Sequence, residues 1–417
     1  MNQQLARRIV FTIGALLVFR LGTYIPLPGI DSDLLVQLFS SQAGGILGMF
    51  NTISGGAVQR MAIFALALAP YLSAAIFIRV LAMVSGKLTS AERSGEEGRR
   101  RLARYTLLLT LFIAAFQAYG VASALQQIPG IVADPGVWFL LSATASLVGG
   151  VFFLVWLSEL ITCHGIGNGL ALILCVGTVT SLPSIVAGTF DLIQRGEISG
   201  AFLLLHCVLA LAFLVLMVFV ESARRRVPLA FAERKLKDRS LPAQTGALSI
   251  KINSAGFLMP ITLESWVLFL PLVAAGFMFG GATPWVAAAF KQLEYGQPLH
   301  LILGSIAVFG LAFFYTSYVL DPEHAAQRLH KLGGTIPGVE PGEPTVAYLD
   351  RTVSFTTLIG AVYLTALTLI PEALIAYGIG LPYSISGAAT LLVVCTVLDI
   401  RTQARGLLRT NRGGEYK

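Results

Sequence analysis

Charge is scarce in this sequence. Asp, Glu, Lys and Arg make up 12% of its 417 residues, about half the quarter that soluble domains carry, while 55% of the residues are hydrophobic. That balance excludes an ordinary soluble domain and indicates a polytopic membrane protein. Cysteine is equally sparse. Cys163, Cys175, Cys207 and Cys395 lie in or at the ends of apolar runs, and none shows C-x-x-C spacing, which argues against a disulfide framework and a zinc site. No G-x-S-x-G, H-E-x-x-H or Walker motif occurs, and His206, inside an apolar run, has no obvious nucleophile partner and reads as a packing residue. The chain is therefore not expected to be an enzyme, and no metal or cofactor is expected. "HGIGNG" (164–169) is glycine-rich, but it follows an apolar helix rather than a strand. It reads as a tight turn in which Gly165, Gly167 and Gly169 supply permissive backbone, not as a dinucleotide site.

What is present is a series of ten apolar runs, at about 9–27, 61–84, 106–126, 137–162, 169–189, 200–220, 257–279, 300–320, 353–376 and 381–398. Each is about long enough to cross a bilayer as a helix. The start, MNQQLARRIVF, has no small-residue cleavage site, so the first run is expected to be a retained span. With the N-terminus in the cytoplasm, 24 of the 29 Lys and Arg residues fall in cytoplasmic segments, which satisfies the positive-inside rule. Both termini are then cytoplasmic. Ten spans divide as five plus five, and an odd number per half gives the halves opposite topology, the plan of inverted repeats. The expected division is 1–195 (spans one to five) and 196–417 (spans six to ten, with cytoplasmic loops 221–256 and 321–352).

One stretch fits neither a span nor an ordinary loop. "GGILGMFNTISGGAVQR" (44–60) has an apolar core too short to span the membrane, bracketed by glycine pairs. Two other loops, 85–105 and 221–256, hold most of the net positive charge. They could fix topology and touch anionic lipid head groups, or dock a large anionic partner such as ribosomal RNA; residue types alone favour neither.

Six stretches in order, "FRLGTYIPLPGID" (19–31), "MFNTISGGAVQRMAIFALALAPYLSA" (49–74), "SGEEGRRRLARYT" (94–106), "WLSELITCHGIGNG" (156–169), "KINSAG" (251–256) and "PGVEPGEPTVAYLD" (337–350), resemble the SecY family of protein-conducting channels. The resemblance runs from about residue 9 to 405. It implies an all-α polytopic membrane protein of ten transmembrane helices in two inverted five-helix halves, with a short re-entrant plug helix. It also implies a bacterial inner-membrane location, passage of unfolded preproteins, and lateral release of membrane segments into lipid. SecE-like and SecG-like small subunits, a SecA motor or a ribosome, and anionic lipids are the partners it implies. By the same resemblance the plug is about 45–56, with Met49, Phe50 and Ile53 as its apolar face and Gly55 and Gly56 at its end, where the glycines let it swing. The pore ring is Leu68, Leu72, Leu170, Leu174, Ile261 and Leu392, the first two pairs each one helical turn apart. An apolar ring of this kind blocks ions by dewetting while yielding to a peptide.

Departures from the family pattern are informative. Arg79 stands in span two where the family has glutamine, and Glu264 in span seven where it has a small polar residue. Spans two and seven form the family's lateral gate, and buried ionisable groups are usually paired. A salt bridge holding the gate shut is one reading; separate snorkelling to water or lipid phosphates is the other. The cytoplasmic docking residues implied are Arg99, Arg100, Arg234, Lys235, Arg239 and position 340. "PGIRPGE" reads "PGVEPGE" here, so Glu340 replaces an arginine tied to motor coupling, and His164 replaces another. A specialised insertase-type channel without SecA coupling is the alternative. An inverted-repeat transporter would need a mid-membrane cluster of ionisable groups, for which Arg20, Arg79 and Glu264 are few and scattered.

Overall fold

The computed structural model describes residues 3–31, 34–35, 54–93, 95–126, 128–231, 234–236, 239–241, 244–256, 260–261, 288, 292–293, 297–376 and 387–414. Its helices are α1 Gln3–Gly22, α2 Ala69–Val84, α3 Gly86–Arg93, α4 Glu96–Gln126, α5 Val137–His164, α6 Gly169–Thr180, α7 Leu182–Gln194, α8 Gly200–Ser222, α9 Pro298–Val319, α10 Pro322–Lys331, α11 Glu343–Ala376 and α12 Gly387–Gly414. Strands β1 Arg224–Phe231, β2 Arg234–Leu236, β3 Arg239–Leu241 and β4 Gln244–Lys251 follow α8, and β5 Gly334–Thr335 follows α10. Among the described residues, six helices or helix pairs are long and apolar enough to cross a membrane. The chain forms two compact units, Met1–Phe202 with Leu381–Lys417, and Leu203–Gly380.

In the first unit, α4 packs on α2 and α5 through a stripe of small residues. Thr106, Thr110, Ala114, Ala118 and Ala122 recur every fourth position and are all buried, which lets apolar helices approach closely without a hydrophobic drive from lipid. Leu27, Met61, Ile131, Phe139 and Leu147 complete that core. The outer positions of α4, such as Phe112 and Phe116, are exposed, as a lipid-facing surface requires. Helix α6 packs on α5 and α12, and α7 restarts after Ser181 with Pro183 in its first turn. The fifth apolar run is therefore two helices rather than one.

In the second unit α9 and α11 run side by side. A buried pair joins them, His300 Nε2 lying 3.3 Å from Glu372 Oε1. Helix α11 has 34 residues, about 51 Å at 1.5 Å per residue, well beyond a hydrocarbon core of about 30 Å. Its excess length packs on α10 and β4 around Val227, Leu229, Ile250, Leu329, Ile336, Leu349 and Val353. The basic loop 221–256, read from sequence only as a charged projection, is built as an antiparallel β-hairpin. Strands β1 and β4 pair from Arg224↔Lys251 to Phe231↔Gln244, β2 and β3 pair between them in sequence, and β5 adds to the outer edge of β1. "KINSAG" closes its base. Ile252 N–H donates to Ala223 O at 3.3 Å, and Asn253 Nδ2 donates to Glu221 Oε1 at 2.8 Å. Gly360 of α11 leaves room for the Ile252 carbonyl, which a Cβ there would meet at 2.8 Å.

The expected second span, 61–84, is helical only from Ala69. Residues 54–68 are a run of turns, with Met61 (φ 44°) and Ala67 (φ 46°) in the left-handed region. Leu68 is consequently the residue before the helix rather than part of its face. The bond from Leu72 N–H to Leu68 O (2.9 Å) still sets the two one turn apart.

Candidate functional site

The irregular segment 54–68 sits between helices because its backbone finds partners there. Residues 25–31, with Pro26 and Ile30 in isolated bridges and a turn at Pro28-Gly29 between them, hydrogen-bond on two sides. Leu27 N–H donates to Met61 O and Ile63 N–H to Ile25 O, both at 3.0 Å, while Asp31 N–H donates to Ile131 O at 2.9 Å. Non-helical backbone among membrane spans is stable only when satisfied and covered in this way. Phe64 fills the gap beside it, its ring stacked between Phe19 (6.2 Å) and Phe153 (5.7 Å). Two glycines allow the close approach. A Cβ at Gly22 would collide with the Phe64 ring, and one at Gly150 of α5 with the Ile63 carbonyl oxygen.

Met49, Phe50 and Ile53 lie outside the described residues, but Gly55 and Gly56 do not. Both have left-handed backbones (φ 69° and 84°), which glycine adopts without the strain a side chain brings. Neither end glycine hangs free. Arg20, in the last turn of α1, donates from Nη1 to Gly55 O at 2.7 Å and to Thr23 Oγ1 at 3.4 Å. Its Nη2 donates to the Tyr24 hydroxyl at 2.6 Å. Arg60 Nη1 donates to Gly56 O at 3.4 Å. The two guanidinium groups pack on the Tyr24 ring, 4.7 Å and 4.3 Å from its centre. Gly55 faces α6, where a Cβ would meet Thr180 Oγ1 at 3.1 Å and Gly177 Cα at 3.3 Å. Sequence reading noted Arg20 only as a stray ionisable group and did not connect it to Gly55, because that contact spans 35 positions.

Five of the six ring residues lie in the first unit. Leu68 is fully buried, Leu174 and Leu392 are buried, and Leu72 and Leu170 are half-buried. Ile261, half-buried, lies in the second unit. Helices α6 and α12, which carry Leu170, Leu174 and Leu392, pack directly on each other. The HGIGNG turn sets the start of α6 and is bonded from three helices. Asn168 Oδ1 caps α6 by accepting from Leu170 N–H and Ala171 N–H. Thr12 Oγ1 of α1 accepts from Ile166 N–H at 3.0 Å and donates to Arg8 O at 2.9 Å. Gln403 Oε1 of α12 accepts from Gly167 N–H at 2.8 Å. Gly167 is left-handed (φ 87°), and a Cβ at Gly169 would strike the Ser158 backbone, so the glycine pattern has a steric cause. Thr12→Val keeps the shape of Thr12 but strands the buried Ile166 N–H. It is expected to cost about 1–3 kcal/mol, read as a lower thermal midpoint in detergent, with Thr12→Ser near wild type.

Arg79 is exposed on α2, and Glu264 lies outside the described residues. Arg99 and Arg100 are exposed on the first turns of α4, ahead of its apolar portion. Arg100 and Arg101 face Glu96 and Glu97 at 3.8 Å and 3.6 Å in highly exposed pairs, worth little on their own. Arg234 and Lys235 fall in β2 and Arg239 in β3, Lys235 opposite Ser240 and Arg239 opposite Leu236. Glu340 is exposed in the turn between β5 and α11. Its carbonyl accepts from Thr345 Oγ1 at 2.8 Å, and Gly338 (φ 80°) and Gly342 (φ 114°) make the turn. His164 is exposed, its ring 5.8 Å from that of Phe11 and tilted 55° to it.

Long apolar helices joined by irregular segments that are hydrogen-bonded between them define a multi-pass membrane protein. The SecY family profile matches residues 62–401. A protein translocase subunit SecY of Escherichia coli (strain K12) is 40% identical over 412 residues, covering 98% of this chain and 93% of that protein. Solved structures agree in fold. A protein-conducting channel superposes with a TM-score of 0.68 at 17% identity, covering 98% of this chain and 93% of the other. The Sec61 channel of a canine ribosome–channel complex from the endoplasmic reticulum gives 0.63 at 15%, with the same coverages. The chain belongs to the SecY family.

Proposed function

We infer that this chain is a protein-conducting channel subunit, which passes unfolded preproteins across a membrane and releases membrane segments sideways into lipid. The observation that carries this reading is the match to a translocase SecY subunit over 98% of the chain. The placement of basic residues, 24 of 29 on one side, supports a cell inner membrane location with both termini cytoplasmic. The halves proposed are 1–195 and 196–417. Leu68, Leu72, Leu170, Leu174, Ile261 and Leu392 form the ring. Burial of Leu68, Leu174 and Leu392 and the packing of α6 on α12 support it. Residues 45–56 form the plug, supported by the anchoring of Gly55.

SecE-like and SecG-like single-span subunits complete the channel. Arg99, Arg100, Arg234, Lys235, Arg239 and position 340 receive SecA or a ribosome, and anionic lipids meet the basic loops. One of the structural neighbours is a ribosome-bound channel, which supports the ribosome in this role. Arg79 and Glu264 form an ion pair of the lateral gate. Arg79→Glu and Glu264→Arg are each expected to raise resting ion leak several-fold by placing like charges together, and the double swap to return it towards wild type; a double swap as leaky as the singles would disprove the pair.

The channel reading is tested by reconstituting the chain with a SecE-type partner in vesicles with SecA, ATP and a signal-bearing preprotein. Protease-protected product is expected. A second reading rests on Glu340, which stands in an exposed turn where the family has arginine: the channel is intact but specialised for insertion without SecA. Absence of product with SecA, together with insertion of ribosome-bound nascent membrane proteins, would favour it; absence of both would refute the channel reading.

A further inference from the structure

Helix α12 is the last in sequence, yet it lies in the first compact unit and packs on α6. The two helices share one end. The HGIGNG turn leads into α6, and Gln403 of α12 meets the same turn, so α6 leaves the junction in the direction from which α12 arrives. Contact is close at Gly167, where a Cβ would meet Ile400 Cγ1 of α12 at 3.2 Å. The N–H of Gly167 is buried and donates to Gln403 Oε1 at 2.8 Å. Leu392 lies 11 residues before Gln403, which at 3.6 residues per turn is about three whole turns. Leu392, Thr396, Ile400 and Gln403 therefore form one stripe along α12. Leu392 and Thr396 are buried, and the Thr396 hydroxyl donates to Leu392 O of its own helix at 2.7 Å. Apolar contacts resist a slide of one helix along another only gradually, whereas a slide that strands a buried N–H carries the full cost of its desolvation.

We propose that Gln403 is a positioning residue for the pore ring. Its bond to Gly167 sets the axial register of α12 against α6 and so fixes Leu392 relative to Leu170 and Leu174. This rests on the ring assigned above. A slip of one residue shifts Leu392 by about 1.5 Å along α6, and an apolar constriction that blocks ions by dewetting depends on its width. The neighbouring Ile166 N–H is held by Thr12 of α1 instead. Thr12 thus shares the turn with Gln403 but belongs to a helix that carries no ring residue.

The test uses the full chain with its SecE-type partner in vesicles, and reads resting ion leak and one distance. Spin labels are placed at exposed Val179 of α6 and exposed Leu408 of α12, with Cys163, Cys207 and Cys395 replaced and the buried Cys175 kept. These sites lie 12 residues after Gly167 and 5 after Gln403, about 25 Å apart along the helices, so a slip in register changes their separation directly. Gln403→Met is expected to shift or broaden that distance and to raise leak about tenfold, the scale on which a stranded buried N–H acts. Gln403→Glu, whose carboxylate still accepts, is expected to match wild type in both. Thr12→Val, which strands the adjacent N–H, is expected to lower the thermal midpoint and leave distance and leak unchanged. Unchanged distance in Gln403→Met, or in the shorter Gln403→Asn should Gln403→Met fail to assemble, would overturn the proposal. So would a Thr12→Val variant that reproduces the shift, since the turn as a whole would then set the register. A shifted distance without added leak upholds Gln403 as the register lock and counts against the ring reading alone.

Discussion

Gly150→Ala is expected to destabilise the protein strongly, by about 3 kcal/mol or more, while Gly149→Ala, one residue earlier on the same helix, is expected to be neutral or slightly stabilising. The difference is steric. A Cβ at Gly150 would collide with the carbonyl oxygen of Ile63 and approach the Phe64 ring at 3.3 Å, whereas one at Gly149 meets nothing within 4 Å. Ile63 cannot give way cheaply. Its N–H is bonded to Ile25 O, Phe64 is held between Phe19 and Phe153, and the left-handed Met61 and Ala67 show a backbone with little freedom left. Overpacking against backbone costs more than against a side chain end that can rotate, and replacing a helical glycine otherwise recovers up to about 1 kcal/mol of helix propensity. Unfolding midpoints in detergent for the two alanine variants measure this directly. Equal midpoints would mean that segment 54–68 does not lie on α5 as described. Because that segment leads from the proposed plug into α2, Gly150→Ala is also expected to raise resting ion leak, which separates a displaced anchor of that plug from a uniformly weakened bundle.

That pair of glycines also illustrates what the sequence could reveal. Hydropathy located nine of the ten expected spans where the structure has helices, since apolar length is a property of composition and survives any packing; of the tenth, 257–279, only residues 260–261 are described. The glycines of HGIGNG were legible too, as a turn, because φ > 0 is a local demand. "VGG" at 148–150, by contrast, carries no mark of which glycine faces a neighbour; that depends on the rotation of α5 against residues 61–68. The late start of α2 was hidden for a related reason. "MAIFALAL" (61–68) is as apolar as a span and helix-prone in isolation, and it is the hydrogen bonds to residues 25–27 that hold it out of a helix, a tertiary override of propensity. The β-hairpin in 221–256 was missed because its alternation is masked by a run of arginines, only Val227 and Leu229 of β1 being buried. Of the proposed site, the ring and plug residues came from family resemblance, and the burial of the ring residues could not be read from leucines that look alike along every span. The Arg20–Gly55 bond was out of reach of any local pattern.

Glu340→Arg is expected to raise SecA-driven translocation about tenfold, the scale on which a reversed charge at an interface changes association. The argument starts from the turn itself. Gly338 and Gly342 supply its left-handed residues, the Thr345 hydroxyl donates to the Glu340 carbonyl, and β5 pairs with Ala230 and Phe231 of β1. All of these contacts are made by backbone or by other residues, and the Glu340 side chain is exposed. The substitution therefore changes the charge presented by the turn by two units without changing the turn. Glu340→Gln, which removes one charge, is expected to give an intermediate rate, and Thr345→Val, which loosens the carbonyl, to reduce the gain from arginine. If arginine gains nothing although wild type already translocates well, charge at 340 does not limit coupling, and the motor engages through the basic residues of α4 and the β-hairpin. If neither wild type nor the arginine variant is driven by SecA while ribosome-bound chains insert, the exposed acid at 340 marks a channel whose partner is the ribosome.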